Sequence, residues 1–173
     1  GDPKTPIIYE VDRIRDGRSF TTRRVVAIQN GEAIFNMSAS FQDAQDGAEH
    51  QMEMPEVPSP EGVPSNVERL QRASSEHQHP LFDFLLELEN PVELRDLDPL
   101  DPLHPTPKPG RHDVWLRARG ELPEDPLLHQ CMLTYASDFY LLEGALRHHG
   151  LTWFDRKLKV ASLDHALWFH RPF

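Results

Sequence analysis

Apolar and polar positions alternate through the first forty residues in three bursts separated by tight-turn residues. Ile7 to Arg15 alternates, Asp16-Gly17 turns, Ser19 to Gln29 follows, and Asn30-Gly31 turns again into Ala33 to Phe41. Asp-Gly and Asn-Gly between alternating runs are hairpin signals, because these residues tolerate the backbone that a two-residue turn demands. An antiparallel meander of three strands is expected, with an apolar face that needs cover. From Asp43 to Pro80 the pattern gives way to Pro, Glu, Ser, Gln and His, with Pro55, Pro58, Pro60 and Pro64 close together. That composition reads as an extended linker. A short helix fits within it from about Asn66 to Ala73, with Ser65 as its cap. The apolar run Leu81 to Leu88 suits a helical turn or a strand equally.

Periodicity returns in the second half. Val92 to Leu97 reads as a strand, the Pro-rich stretch Pro99 to Pro109 as a loop, and Asp113 to Arg119 as the next strand. A long helix is expected from about Leu127 to His149. Asp125 can cap it, Pro126 suits its first position, and Gly150 stands where a left-handed stop belongs. Its apolar residues cover most of the circumference, which is the mark of a buried helix. At about 34 Å it could cross a small domain. Leu158 to His170 then alternates with apolar residues on both faces, as a central strand would. Asp164 falls within that strand, among apolar neighbours that would raise its pKa unless donors hold it ionised, so it is a candidate general base. Spacing alone leans to a plainer role, a strand-end carboxylate that accepts backbone hydrogen bonds.

The run Ser162-Leu163-Asp164-His165-Ala166-Leu167-Trp168-Phe169-His170-Arg171-Pro172-Phe173 closely resembles a signature of the type II acyl-CoA thioesterases. Ordered matches extend back along the chain. They include Pro6-Ile7-Ile8-Tyr9, Arg15-Asp16-Gly17, Ile28-Gln29-Asn30-Gly31, Ala39-Ser40-Phe41-Gln42, Glu49-His50-Gln51, Trp115-Leu116-Arg117-Ala118-Arg119-Gly120 and Tyr135-Ala136-Ser137-Asp138. The resemblance implies an α+β hotdog protein, each hotdog being an antiparallel sheet wrapped around a long central helix. Residues 1–42 would be the closing meander of a first hotdog, 43–90 a Pro-rich linker, and 91–173 the opening part of a second. It also implies hydrolysis of medium- to long-chain fatty acyl-CoA, in which Asp164 works with a Thr and a Gln to activate water. Those two partners would lie beyond Phe173. The chain starts at Gly1 without Met and stops inside the motif, so a piece of a longer protein is expected. No metal or redox cofactor is implied. The acyl chain would lie in an apolar groove between helix and sheet.

Composition narrows the alternatives. A net charge of −10 argues against nonspecific nucleic-acid or anionic-membrane binding. Residues 1–30 depart from this balance, with Lys4, Arg13, Arg15, Arg18, Arg23 and Arg24 against Asp2, Glu10, Asp12 and Asp16. Such arginines could meet CoA phosphates, or could be ordinary solvated strand charge. The single cysteine, Cys131, allows no internal disulfide and falls in the buried helix pattern, so a packing role is expected. His77 with His79, and His148 with His149, lack a third ligand at metal-binding spacing; the latter pair suits the negative end of a helix. Serine-elbow, phosphate-loop and dinucleotide motifs are missing from the sequence. Ser162, Asp164 and His165 make no triad on a strand, because alternate side chains face opposite ways. No targeting or membrane-spanning segment stands out, which leads to an expected cytoplasmic location, or a peroxisomal one in a eukaryote. Unpaired sheet edges point to a homo-oligomer. The competing reading is a non-catalytic permuted hotdog that binds acyl groups or dimerises.

Overall fold

The computed structural model describes residues 1–155 and 157–173, and the chain divides into two units, Gly1–Met54 and Pro55–Phe173. In the first unit β1 (Ile8–Asp16), β2 (Phe20–Gln29) and β3 (Glu32–Gln42) form an antiparallel sheet in the order β1-β2-β3. The expected meander is therefore present. Asn30 and Gly31, at φ 53° and 81°, make the β2–β3 turn, and both values lie where a hairpin of this handedness needs them. Register places Val11, Val25 and Met37 abreast, with Tyr9, Ala27 and Phe35 as the neighbouring row. These rows make one apolar face, on which Tyr9, Val11, Phe35, Met37 and Phe41 are exposed. Gln29 is the buried polar exception, and it is satisfied: its Nε2 donates to the Asp2 and Thr5 carbonyls at 2.8 Å each, and its Oε1 accepts from the Asp2 amide at 2.7 Å.

The second unit carries α1 (Asn66–His77), α2 (Pro80–Glu87), β4 (Val92–Asp96), β5 (Val114–Ala118), α3 (Pro126–Ser137) and α4 (Glu143–His148). Ser65 caps α1 through a full capping box. Its Oγ accepts from the Glu68 amide at 3.2 Å, while Glu68 Oε2 accepts from the Ser65 amide at 2.6 Å. The helix runs one turn beyond the expected Ala73. The undecided run 81–88 is largely helical as α2, because Pro80 starts it and His79 Nδ1 accepts from the Leu81 amide at 3.2 Å. β4 and β5 pair antiparallel with Leu94 opposite Leu116. α3 lies on the face that holds Val92 and Leu94, and Ala136, Met132, Phe139 and Val114 complete that core. Burying Val92 and Leu94 contributes about 1.5 to 3 kcal/mol each.

Three expectations for this half need correction. The continuous helix 127–149 is two helices, with residues 138–142 as turns between them. Thr134 Oγ1 donates to the Gln130 carbonyl at 2.7 Å and Ser137 Oγ to the Thr134 carbonyl at 2.9 Å, so side chains compete with the backbone ladder where α3 ends. The left-handed stop at Gly150 stands, at φ 62°. Next, α3 is not buried all round. One face meets the sheet, while Leu127, Leu128, Tyr135 and also Cys131 are exposed, against the buried setting expected for that thiol. Finally, residues 158–170 form no strand. Among the described residues β4 and β5 pair only with each other, and without a ladder a strand pattern has nothing to hold it, so Leu163 is 95% and Trp168 75% exposed. Among the described residues no helix is long and apolar enough to cross a membrane.

Candidate functional site

Asp164 is exposed, in a segment without regular structure. Side chains hold that segment on both sides of it. Ser162 Oγ donates to Asp138 Oδ1 at 3.0 Å, His165 Nε2 lies 3.0 Å from Ser137 Oγ, and His165 Nδ1 lies 3.5 Å from the same Asp138 oxygen. The end of α3 therefore grips residues 162 and 165, the neighbours of the candidate base. Spacing arguments missed this grip, although Tyr135-Ala136-Ser137-Asp138 stood among the family-like motifs and could have pointed to it. The apolar setting expected for Asp164 is not present in the described residues.

Between α3 and the β4–β5 sheet lies an apolar groove of about 220 Å³, with Val92, Leu116, Ala118, Met132, Leu133 and Ala136 in its walls. Phe173, the end of the signature run, lines it as well. Such a volume falls below the roughly 300 to 1,000 Å³ of complete ligand pockets.

A buried polar cluster sits beside the core. His112 Nε2 is 2.8 Å from Asp96 Oδ2, and the two side chains are 5% and 6% exposed. Asp96 Oδ1 accepts from the Asp98 amide at 2.9 Å, and Arg69 donates to the Asp96 carbonyl at 2.6 Å. The Tyr140 ring meets the His112 ring edge-on at 5.2 Å, and its hydroxyl accepts a hydrogen bond from Asn66 Nδ2. Burial pushes the Tyr140 hydroxyl up to about 12. His112 Nδ1 is buried and finds no hydrogen-bond partner among the described residues. The cluster joins α1 to β4 and to the turn after α3, which is structural work.

Arg147 does similar work from α4. It is 1% exposed, and its guanidinium donates to the Pro109 carbonyl at 2.9 Å, the Asp98 carbonyl at 2.8 Å and Asp98 Oδ2 at 2.6 Å. The Lys108 amide donates to the Arg147 carbonyl at 2.8 Å. Lys108 foremost, then Arg147, holds the Asp98 carboxyl below its ordinary value. The Pro-rich loop 99–109 is thereby strapped onto α4. In the first unit Arg23 and Arg13 both pair with Asp16, whose carboxyl is lowered chiefly by Arg23, so part of the basic excess serves the hairpin itself. Among the described residues no group of three His, Cys, Asp or Glu side chains gathers as a metal site would require.

Residues 95–173 match a family model described as acyl-CoA thioesterase, and residues 1–42 match one described as acyl-CoA thioesterase N-terminal domain. The chain is 38% identical over 173 residues to acyl-CoA thioesterase 2 of Haemophilus influenzae, aligned over 100% of its own length and 60% of that protein. It is 38% identical over 181 residues to human acyl-coenzyme A thioesterase 8, covering 100% of itself and 56% of the relative. The chain thus spans less than two thirds of the length of these relatives. Among solved structures it resembles acyl-CoA thioesterase II TesB2 from Mycobacterium marinum, at a TM-score of 0.71 and 40% identity over 100% of this chain and 58% of that one. A TesB protein from Mycobacterium avium subspecies paratuberculosis follows at 0.62 and 28%, over 87% and 49%. The α+β hotdog class expected from the sequence stands with these likenesses.

Proposed function

This chain belongs to the acyl-CoA thioesterase family, and we propose that the full-length protein hydrolyses medium- to long-chain fatty acyl-CoA to free fatty acid and CoA. Asp164 takes the part of the water-activating carboxylate. As it draws a proton from water, the water oxygen bonds to the thioester carbonyl carbon. The carbon–sulfur bond then breaks, and the proton passes to the departing CoA thiolate. A carboxylate in this position contributes by positioning and by general-base assistance, each typically worth orders of magnitude in rate. The chemistry calls on no metal or redox cofactor.

One observation carries the reading: the signature run is tied to the end of α3 through Ser162 and His165, on either side of Asp164, while Phe173 from the same run lines the apolar groove on that helix. A chemical group and an apolar slot on one element suit a substrate with a reactive head and a hydrocarbon tail. The uncovered apolar face of the β1–β3 sheet and the open circumference of α3 support a homo-oligomer assembled through hotdog sheets. The acidic balance supports a protein that works away from nucleic acid and anionic membranes. A cytoplasmic location in a bacterium, or a peroxisomal one in a eukaryote, belongs to the same proposal. The test is thiol release by the full-length protein from butyryl-, decanoyl- and palmitoyl-CoA. Turnover rising with chain length is expected. Retention of acyl-CoA with no thiol released would favour a binding module.

A further inference from the structure

We propose that Asp138 is a positioning residue for Asp164, acting through Ser162 and His165, an inference that rests on the reading of Asp164 as the water-activating group. Residues 158–170 have no ladder to fix them, so their placement depends on side-chain bonds. Asp138 supplies these from a defined place. It is the C-terminal capping residue of α3, at φ −80° and ψ −14°, and its own amide donates to the Ala136 carbonyl. The helix is seated by Met132 and Ala136 on β4 and β5, so the carboxylate projects from a packed element. One of its oxygens serves both sides of the candidate base, accepting from Ser162 Oγ at 3.0 Å and facing His165 Nδ1 at 3.5 Å.

The residue pair Leu163-Asp164 is therefore spanned by a single acceptor. A tie at each end restricts the backbone torsions between, which keeps a reacting carboxylate from wandering. Ser137 adds a second tie, with its Oγ 3.0 Å from His165 Nε2. A base that drifts by about an ångström can lose on the order of 100-fold in rate, because productive geometry is narrow.

The break between α3 and α4 acquires a purpose on this account. Continuing the helix through residue 138 would carry that carboxylate into the helical surface. Ending α3 at Ser137 leaves it at the terminus, facing the 162–165 segment.

The experiment compares Asp138→Ala, Asp138→Asn, Ser162→Ala and Asp164→Asn in the full-length protein, with kcat and KM for decanoyl-CoA and melting temperature measured on each. Asp138→Ala should lower kcat by about 10- to 100-fold, with KM inside about threefold. Asp138→Asn keeps an oxygen that can accept from Ser162 and should recover part of that loss. Ser162→Ala should lower kcat in the same sense, and the double variant with Asp138→Ala should lose little more than the worse single, since both act through one bond. Ser162 is exposed, so its variant folds even if Asp138→Ala does not. Wild-type kcat in Ser162→Ala and the folded Asp138 variants, beside an inactive Asp164→Asn, would overturn the positioning role alone. So would losses that multiply in the double variant. Wild-type turnover in Asp164→Asn would overturn both this role and the catalytic reading.

Discussion

Replacing Arg147 by Met removes a guanidinium while keeping most of the apolar stem that fills its space, so the lost hydrogen bonds dominate the result. Three bonds go: those to the Pro109 carbonyl, the Asp98 carbonyl and the Asp98 carboxylate. They are not equal. The Asp98 side chain is 60% exposed and keeps its bond to Lys108, so that ion pair counts as a surface pair worth about 0 to 1 kcal/mol. The carbonyls lose charged donors, and such bonds are worth about 1.5 to 3 kcal/mol each, less whatever entering water restores. The combined expectation is about 3 kcal/mol. The Lys108 amide, which donates to the Arg147 carbonyl, is a local reporter of whether the strap still closes. Hydrogen exchange at that amide should quicken by about 100-fold, at roughly 1.4 kcal/mol per factor of ten. The acid limb supplies a second check. The Asp98 carboxyl is depressed below 3.8 in the folded protein, so its contribution is present above that value and lost as pH falls through the folded value. Lys108 is the larger cause of this depression, so the acid limb should persist in Arg147→Met. An exchange rate within about threefold of wild type would refute the claim that Arg147 closes the loop onto α4.

Ser65→Ala removes half of the capping box and should cost α1 about 1 kcal/mol, read as a lower urea midpoint with reduced helical ellipticity. The Tyr140 hydroxyl, raised to about 12 by burial, keeps its proton when folded but sheds it near 10 when unfolded. Its contribution is therefore whole below pH 10 and fades as pH climbs from 10 through 12, by up to about 3 kcal/mol; urea midpoints at pH 9 and 11.5 should diverge, and Tyr140→Phe should flatten that difference.

What the sequence made legible follows local chemistry. Asn30-Gly31 between two strand runs and Ser65 as a helix cap each carry their own structural reason within a few residues, and both appear where expected. The strands expected at 92–97 and 113–119 form at 92–96 and 114–118 for the same cause, since Val92 and Leu94 alternate with polar residues in period two. Residues 127–149 were misread because apolar content all round the helix says that cover is needed, not that this chain supplies it. Their internal break rests on hydroxyl back-bonding by Thr134 and Ser137, which no periodicity carries. The run 158–170 has a strand pattern, but strand formation is a property of pairs, and its partner is not found in β4 or β5. Asp164 was singled out first as a carboxylate in an apolar strand pattern and then by a motif. The Asp138 grip upon its neighbours depends on residues 24 and 27 positions apart, beyond the reach of spacing rules.

The most direct test is thiol release from palmitoyl-CoA by the full-length protein and by its Asp164→Asn variant, with melting temperature measured on the same samples. Loss of a positioned general base typically costs about 10²- to 10⁴-fold, and an exposed carboxylate exchanged for an amide of similar size should leave the melting temperature within a degree or two. A large fall in rate at unchanged melting temperature is the expected result. Wild-type turnover, with or without a drop in melting temperature, would contradict the assignment of Asp164 as the group that activates water.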